Sequence, residues 1–92
     1  MNSSTHITTT EGKRISKRLL NHWKHKFEVA ETETETKIFM PTATITLTPH
    51  EQHLAVLIEN RQDDNVAHLE QVVINHLNRM AQQEFVVEWQ HH

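Results

Sequence analysis

Three histidines carry the chemistry this chain can offer. His22 and His25 lie three apart in His22-Trp23-Lys24-His25-Lys26-Phe27, and His76 lies in Val72-Val73-Ile74-Asn75-His76-Leu77-Asn78-Arg79. Neutral imidazole is a good ligand for borderline divalent metals. Two histidines one helical turn apart can face one ion while a third arrives from a neighbouring element. His22, His25 and His76 are therefore the expected ligand set for a divalent metal or an iron-containing ligand, with Glu84 adding an oxygen or orienting an imidazole. Three imidazoles with a carboxylate or water suit Zn(II), Fe(II) or Ni(II), and the sequence does not rank them. A plainer reading stands beside this one: His22 and His76 are core-edge residues that each give one ring N–H to a carbonyl, and His25 is solvated at a helix end. His6, His50, His53 and His68 fall in predicted loops or on an outer helix face and receive no role.

Two helices must position these histidines. Ile15, Leu19, His22 or Trp23, and Lys26 follow a three-to-four spacing that predicts a helix from about Glu11 to His25, capped by Thr10. His22 falls on or beside its buried stripe, with His25 about 60° round and one turn on. Val66, Leu69, Val73, His76 or Leu77, and Met80 predict a second helix to about Gln82, capped by Asp63 or Asp64. Elsewhere the apolar period is two: Ile7 within Thr5 to Thr10, Phe27 and Val29, Ile38 and Met40, Ala43, Ile45 and Leu47, then Leu54, Val56 and Ile58, and last Phe85, Val87 and Trp89. The expected order is β-α-β-β-β-β-α-β, an α+β fold with a mainly antiparallel sheet and both helices packed on one face. With one glycine in the chain, the turns must form without the usual Asn-Gly or Gly-Gly pairs.

The chain has 92 residues, enough for a single domain spanning 1–92. Met1 to Ser4 and His91–His92 are expected to be disordered or, for the closing pair, the remnant of an affinity tag. The absence of cysteine excludes disulfides, thiolate metal sites and a cysteine nucleophile, and suits the cytoplasm. No hydrophobic leader or membrane-spanning run is visible, so no membrane insertion is expected. Serines without nucleophile context, no Gly-rich phosphate loop and no interpretable carboxylate pair argue against an enzyme.

The net charge of −3 hides an asymmetry: Lys13, Arg14, Lys17, Arg18, Lys24 and Lys26 are six of the nine Lys and Arg residues. Lys13, Arg14, Lys17, Arg18 and Lys24 could meet phosphates or another anionic partner along the first helix. An overall pI near 6.3 and the lack of a recognisable nucleic-acid motif count against nucleic acid. A solvated helix face is the ordinary explanation of such a cluster. The sheet face away from the helices would carry Phe39, Ala55, Leu57 and Val86 among Thr44, Thr46 and Glu88; a face this mixed can simply be wet, and if the four apolar side chains are contiguous a back-to-back homodimer would bury them. A purely structural protein-interaction module is the remaining class.

The run Lys17-Arg18-Leu19-Leu20-Asn21-His22-Trp23-Lys24-His25-Lys26-Phe27, the Ile38 to Leu47 segment with Pro41, and Leu69 to Arg79 with Trp89 resemble DUF2218, a family of small bacterial domains of unknown function. The resemblance covers nearly the whole chain. Family members occur alone or joined to siderophore-interacting, flavin-dependent ferric reductase domains, which implies iron or siderophore handling and a reductase or transporter as partner. The chain departs from the family at Thr42-Ala43-Thr44-Ile45, in place of a Phe-Gly-Thr-Cys-type segment, and at Met80-Ala81-Gln82-Gln83-Glu84, in place of Phe-Ala-Phe-Arg-Glu.

Overall fold

Strict alternation along five segments gives a sheet with one dry face. The computed structural model describes residues 1–62 and 65–92. Its elements are β1 (Asn2–Thr8), α1 (Gly12–Trp23), β2 (Glu28–Glu31), β3 (Thr36–Phe39), β4 (Ala43–Pro49), β5 (His53–Asn60), α2 (Val66–Ala81) and β6 (Gln90–His91). They follow the order read from the sequence. The sheet runs β2-β3-β4-β5-β1-β6, with every neighbouring pair antiparallel.

Directly paired residues share a face, so the register fixes which side chains meet the helices. Ile7 pairs with Leu54, Leu47 with Val56, and Ile45 with both Ile58 and Ile38. None of these is more than 1% exposed. Ile15, Leu19 and Trp23 of α1 and Val73, Ile74 and Leu77 of α2 complete the same cluster. Both helices therefore cover one face, the expected α+β arrangement. No helix among the described residues is long and apolar enough to cross a membrane.

Local differences from the expected boundaries have local causes. Thr9 rather than Thr10 serves the entry to α1, its Oγ1 accepting the Glu11 N–H at 3.0 Å. The expected caps Asp63 and Asp64 lie outside the described residues. Asn65 precedes α2 in the left-handed region and makes no side-chain cap bond. The last strand is Gln90–His91 alone. Phe85, Val87 and Trp89 still pack on the core, but their segment is tied by single bonds: the Phe85 N–H to Asn78 Oδ1 at 2.9 Å, and Thr5 Oγ1–H to the Glu88 carbonyl at 2.8 Å. The termini, expected to be disordered, are in the sheet. Ser3 is buried, and Asn2 and His92 exchange backbone bonds of 2.7 and 2.9 Å.

The open sheet face is not the contiguous apolar patch that the homodimer reading required. Phe39 pairs with Thr44, Leu57 with Thr46 and Ser4, and Ala55 with Thr48 and His6. The threonine row of β4 thus separates Phe39 from Leu57 and Ala55. Val86, fully exposed, lies in the segment leading to β6, beyond β1.

Turns form without glycine because side chains substitute for it. Thr32 Oγ1 accepts the Thr34 and Glu35 N–H groups at 3.2 and 3.1 Å, closing the β2–β3 hairpin. Pro41 follows Met40 in the β3–β4 turn, where Met40 and Ala43 are mutually bonded. Arg61 braces that turn through Thr44 Oγ1 and the Met40 carbonyl.

The lone glycine is used for close approach, not for a left-handed turn. A Cβ on Gly12 would lie 3.0 Å from Pro49 Cβ and 3.4 Å from Pro49 Cα, and a proline ring cannot swing aside. Gly12→Ala should lower stability by about 1 kcal/mol despite alanine's higher helix propensity, measurable by urea unfolding. Gln82 instead ends α2 with φ of 58°, a conformation costly for an L side chain. Gln82→Gly should raise stability by roughly 0.5–1 kcal/mol in the same assay.

Candidate functional site

The edge where α1 meets α2 is organised by Trp23. This residue closes the buried stripe of α1 and is only 4% exposed. Its ring lies 4.7 Å from the His76 imidazole of α2 and 6.1 Å from Phe27, the latter edge-on at 80°. His22, one residue earlier, is thereby turned to the surface. It is exposed, and its ring centroid stands 5.3 Å from that of His76.

His76 is half-buried, and its Nδ1 lies 2.8 Å from the Val72 carbonyl oxygen. A carbonyl can only accept, so Nδ1 carries a proton, and in the neutral imidazole the lone pair is then on Nε2. The bond to a carbonyl is what the plainer reading expected. It also presets the tautomer that a ligating histidine needs. Two imidazoles on one tetrahedral ion, with metal–nitrogen distances near 2.0–2.1 Å, have ring centroids about 5 Å apart, and the His22–His76 separation fits.

The other members of the expected ligand set are not brought in. α1 ends at Trp23, whose carbonyl accepts the N–H groups of both Lys26 and Phe27 at 3.0 and 2.8 Å. His25 therefore lies in a turn past the helix and makes no ring contact with His22 or His76. Their three-residue spacing would bring them together only if the helix continued. Glu84 lies exposed beyond the left-handed exit of α2, with no hydrogen bond or ion pair among the described residues. Among the described residues, no three or more His, Asp or Glu side chains are grouped to hold a metal ion.

Much of the basic run is engaged within the molecule. Arg14 meets Glu11 at 3.3 Å and Lys17 meets Glu31 at 2.9 Å. Arg18 NH1 donates to the Met80 carbonyl at 3.0 Å, near the C-terminal end of α2 where a cation is favoured. Lys26 sits 5.5 Å from the Phe27 ring centre. Lys13 and Lys24 remain exposed at opposite ends of α1. A cleft of about 420 Å³ lies between α1 and the β2–β3 hairpin, lined among others by Lys13, Lys17, Glu31 and Thr34. Its walls carry both charge signs, and neither His22 nor His76 borders it.

A second imidazole group is present where none was expected. His6 lies on β1 and His53 opens β5, not in loops, with ring centroids 4.8 Å apart; His50 stacks on His53 at 4.4 Å. Alternation along β1 and β5 could have placed His6 and His53 on one face, but only the strand register makes them neighbours.

Residues 4–90 match the bacterial family described as "Uncharacterized protein conserved in bacteria (DUF2218)". Among solved structures, the fold is similar to the NMR structure of PA4090 from Pseudomonas aeruginosa. The TM-score is 0.81 at 34% identity, over 97% of this chain and 94% of that one. No curated protein matches. The matched residues run from β1 to β6 and include the whole α1–α2 edge with Trp23, so the chain belongs to the DUF2218 family of bacterial domains.

Proposed function

We propose that this domain is a small cytoplasmic binding module whose working site is the His22–His76 pair over Trp23. Its ligand is a divalent metal, or iron already held in an organic chelate. The observation that supports this reading is the free Nε2 of His76 beside an exposed imidazole at ligand spacing. Two protein nitrogens leave most of a metal's coordination positions open. An ion carrying its own oxygen ligands, as in a siderophore complex, suits such a half-site better than a bare ion. His25 and Glu84 could add ligands only if the 24–26 turn and the exit of α2 rearranged. The family's association with siderophore-interacting reductases makes a reductase or transporter the natural partner.

The test is NMR amide mapping during titration with Zn(II), Ni(II) and anaerobic Fe(II). Stoichiometric shifts centred on His22 and His76, weakened tenfold or more in a folded His76→Ala variant, are expected. Weak shifts scattered over many histidines would make the pair structural. The competing anionic-partner reading predicts retention on heparin. Because Arg14, Lys17 and Arg18 are engaged, the protein should elute below physiological ionic strength of about 0.15 M, and firm retention above it would favour that reading.

A further inference from the structure

We propose that the cleft between α1 and the β2–β3 hairpin binds a small zwitterion of the ω-amino-acid class, whose carboxylate and ammonium ends are separated by a short carbon chain. The cleft holds about 420 Å³, within the range of small-ligand sites. Its two walls have opposite character. α1 contributes Lys13, Arg14 and Lys17, and the hairpin contributes Glu31, Glu33 and Glu35. A ligand of a single charge would meet one attractive and one repulsive wall, whereas a ligand with a charge at each end is matched by both.

Internal ion pairs decide which of these charges serve a ligand. Lys17 meets Glu31 at 2.9 Å, tying α1 to the hairpin, and Arg14 meets Glu11 at 3.3 Å. Among the described residues, Lys13 and the carboxylates of Glu33 and Glu35 make no ion pair. Lys13 is therefore the cation left to hold the ligand's carboxylate. It lies in the first turn of α1, which carries no acidic residue and no side-chain cap bond, so the helix dipole adds to its charge. Glu33 and Glu35 are left for the ammonium, on a hairpin already braced by Thr32 Oγ1.

Ser16 marks the cleft as more than a gap between charged side chains. Three buried hydroxyls lack a hydrogen-bond partner among the described residues, those of Ser3, Ser16 and Thr46, and Ser16 lines this cleft. It is 2% exposed. A serine inside a helix ordinarily bonds back to the carbonyl four residues earlier or points out to water, and Ser16 Oγ does neither. A buried hydroxyl without a partner is unfavourable, so a ligand oxygen that accepts from it relieves a cost the free protein bears. Ser16 follows Lys13 by three residues, which makes the two neighbours on one face of α1. The ammonium of Lys13 and the hydroxyl of Ser16 can thus share the ligand's carboxylate.

The experiment is a titration of the full chain with 5-aminopentanoate at neutral pH and low salt, followed by amide NMR, beside pentanoate and pentylamine as probes carrying one charge each. Saturable shifts should centre on residues 13–17 and 31–36, with millimolar affinity, and each single-charge probe should bind at least fivefold more weakly. Affinity for 5-aminopentanoate should fall fivefold or more in Lys13→Gln, in Ser16→Ala and in a Glu33→Gln/Glu35→Gln double variant, each shown by its amide spectrum to be folded. It should be unchanged in Lys24→Gln, which removes an exposed cation at the far end of α1. The absence of saturable shifts in the wild type, equal binding of pentanoate or pentylamine, or unchanged affinity in any of the first three folded variants would overturn the proposal. Because His22 and His76 do not border this cleft, failure here is distinct from failure of the α1–α2 site.

Discussion

The fold depends on covering one face of the sheet. With no cysteine for a disulfide, a domain this size relies on burying apolar surface. The contributors are few: Ile7, Ile38, Ile45, Leu47, Leu54, Val56 and Ile58 from the sheet, met by Ile15, Leu19 and Trp23 from α1 and Val73, Ile74 and Leu77 from α2. β5 is central to this layer, because β4 and β1 flank it and their paired residues extend its dry face in both directions. A polar substitution at Val56 would face Leu47 and Thr5 across both neighbours, with little water to satisfy it.

Trp23 links this layer to the candidate site. One turn on, Phe27 packs edge-on against its ring, and α1 ends at Trp23, between His22 and His25. Burial of Trp23 puts the indole against His76 and leaves His22 outside. The imidazole pair is thus a consequence of core packing at the α1–α2 edge. A packed core presents such side chains in one arrangement, which preorganises His76 through Val72 while His22 retains freedom at the surface.

The opposite face follows a different logic. Thr44, Thr46 and Thr48 occupy its centre, with Lys37, Ser4 and His6 around them. Thr46 is 7% exposed, and its hydroxyl has no hydrogen-bond partner. β-branched threonine keeps strand propensity while interrupting apolar continuity. The polar stripe lowers the drive for face-to-face association, and it leaves room at the β1–β5 end for the histidine cluster.

Element order, helix type and the choice of inward-facing residues were legible in the sequence, because periods of two and of three to four are local properties that burial imposes on every strand and helix. The candidate histidines His22 and His76 were legible for the same reason, as residues at the margin of each helical stripe. Other features depended on distance in space. Helical spacing grouped His25 with His22, but α1 ends at Trp23, between them. Alternation assigned Phe39, Leu57 and Val86 to one face with Thr44 and Thr46, but only strand order put β4 between Phe39 and Leu57 and β1 between Leu57 and Val86. His6, His50 and His53 seemed unrelated at separations of up to 47 residues, yet antiparallel register and one tight turn made them neighbours. Sequence determines which face a side chain takes, because that is set by backbone geometry a few residues long. Which side chains meet on that face is decided only when strands pair and helices dock.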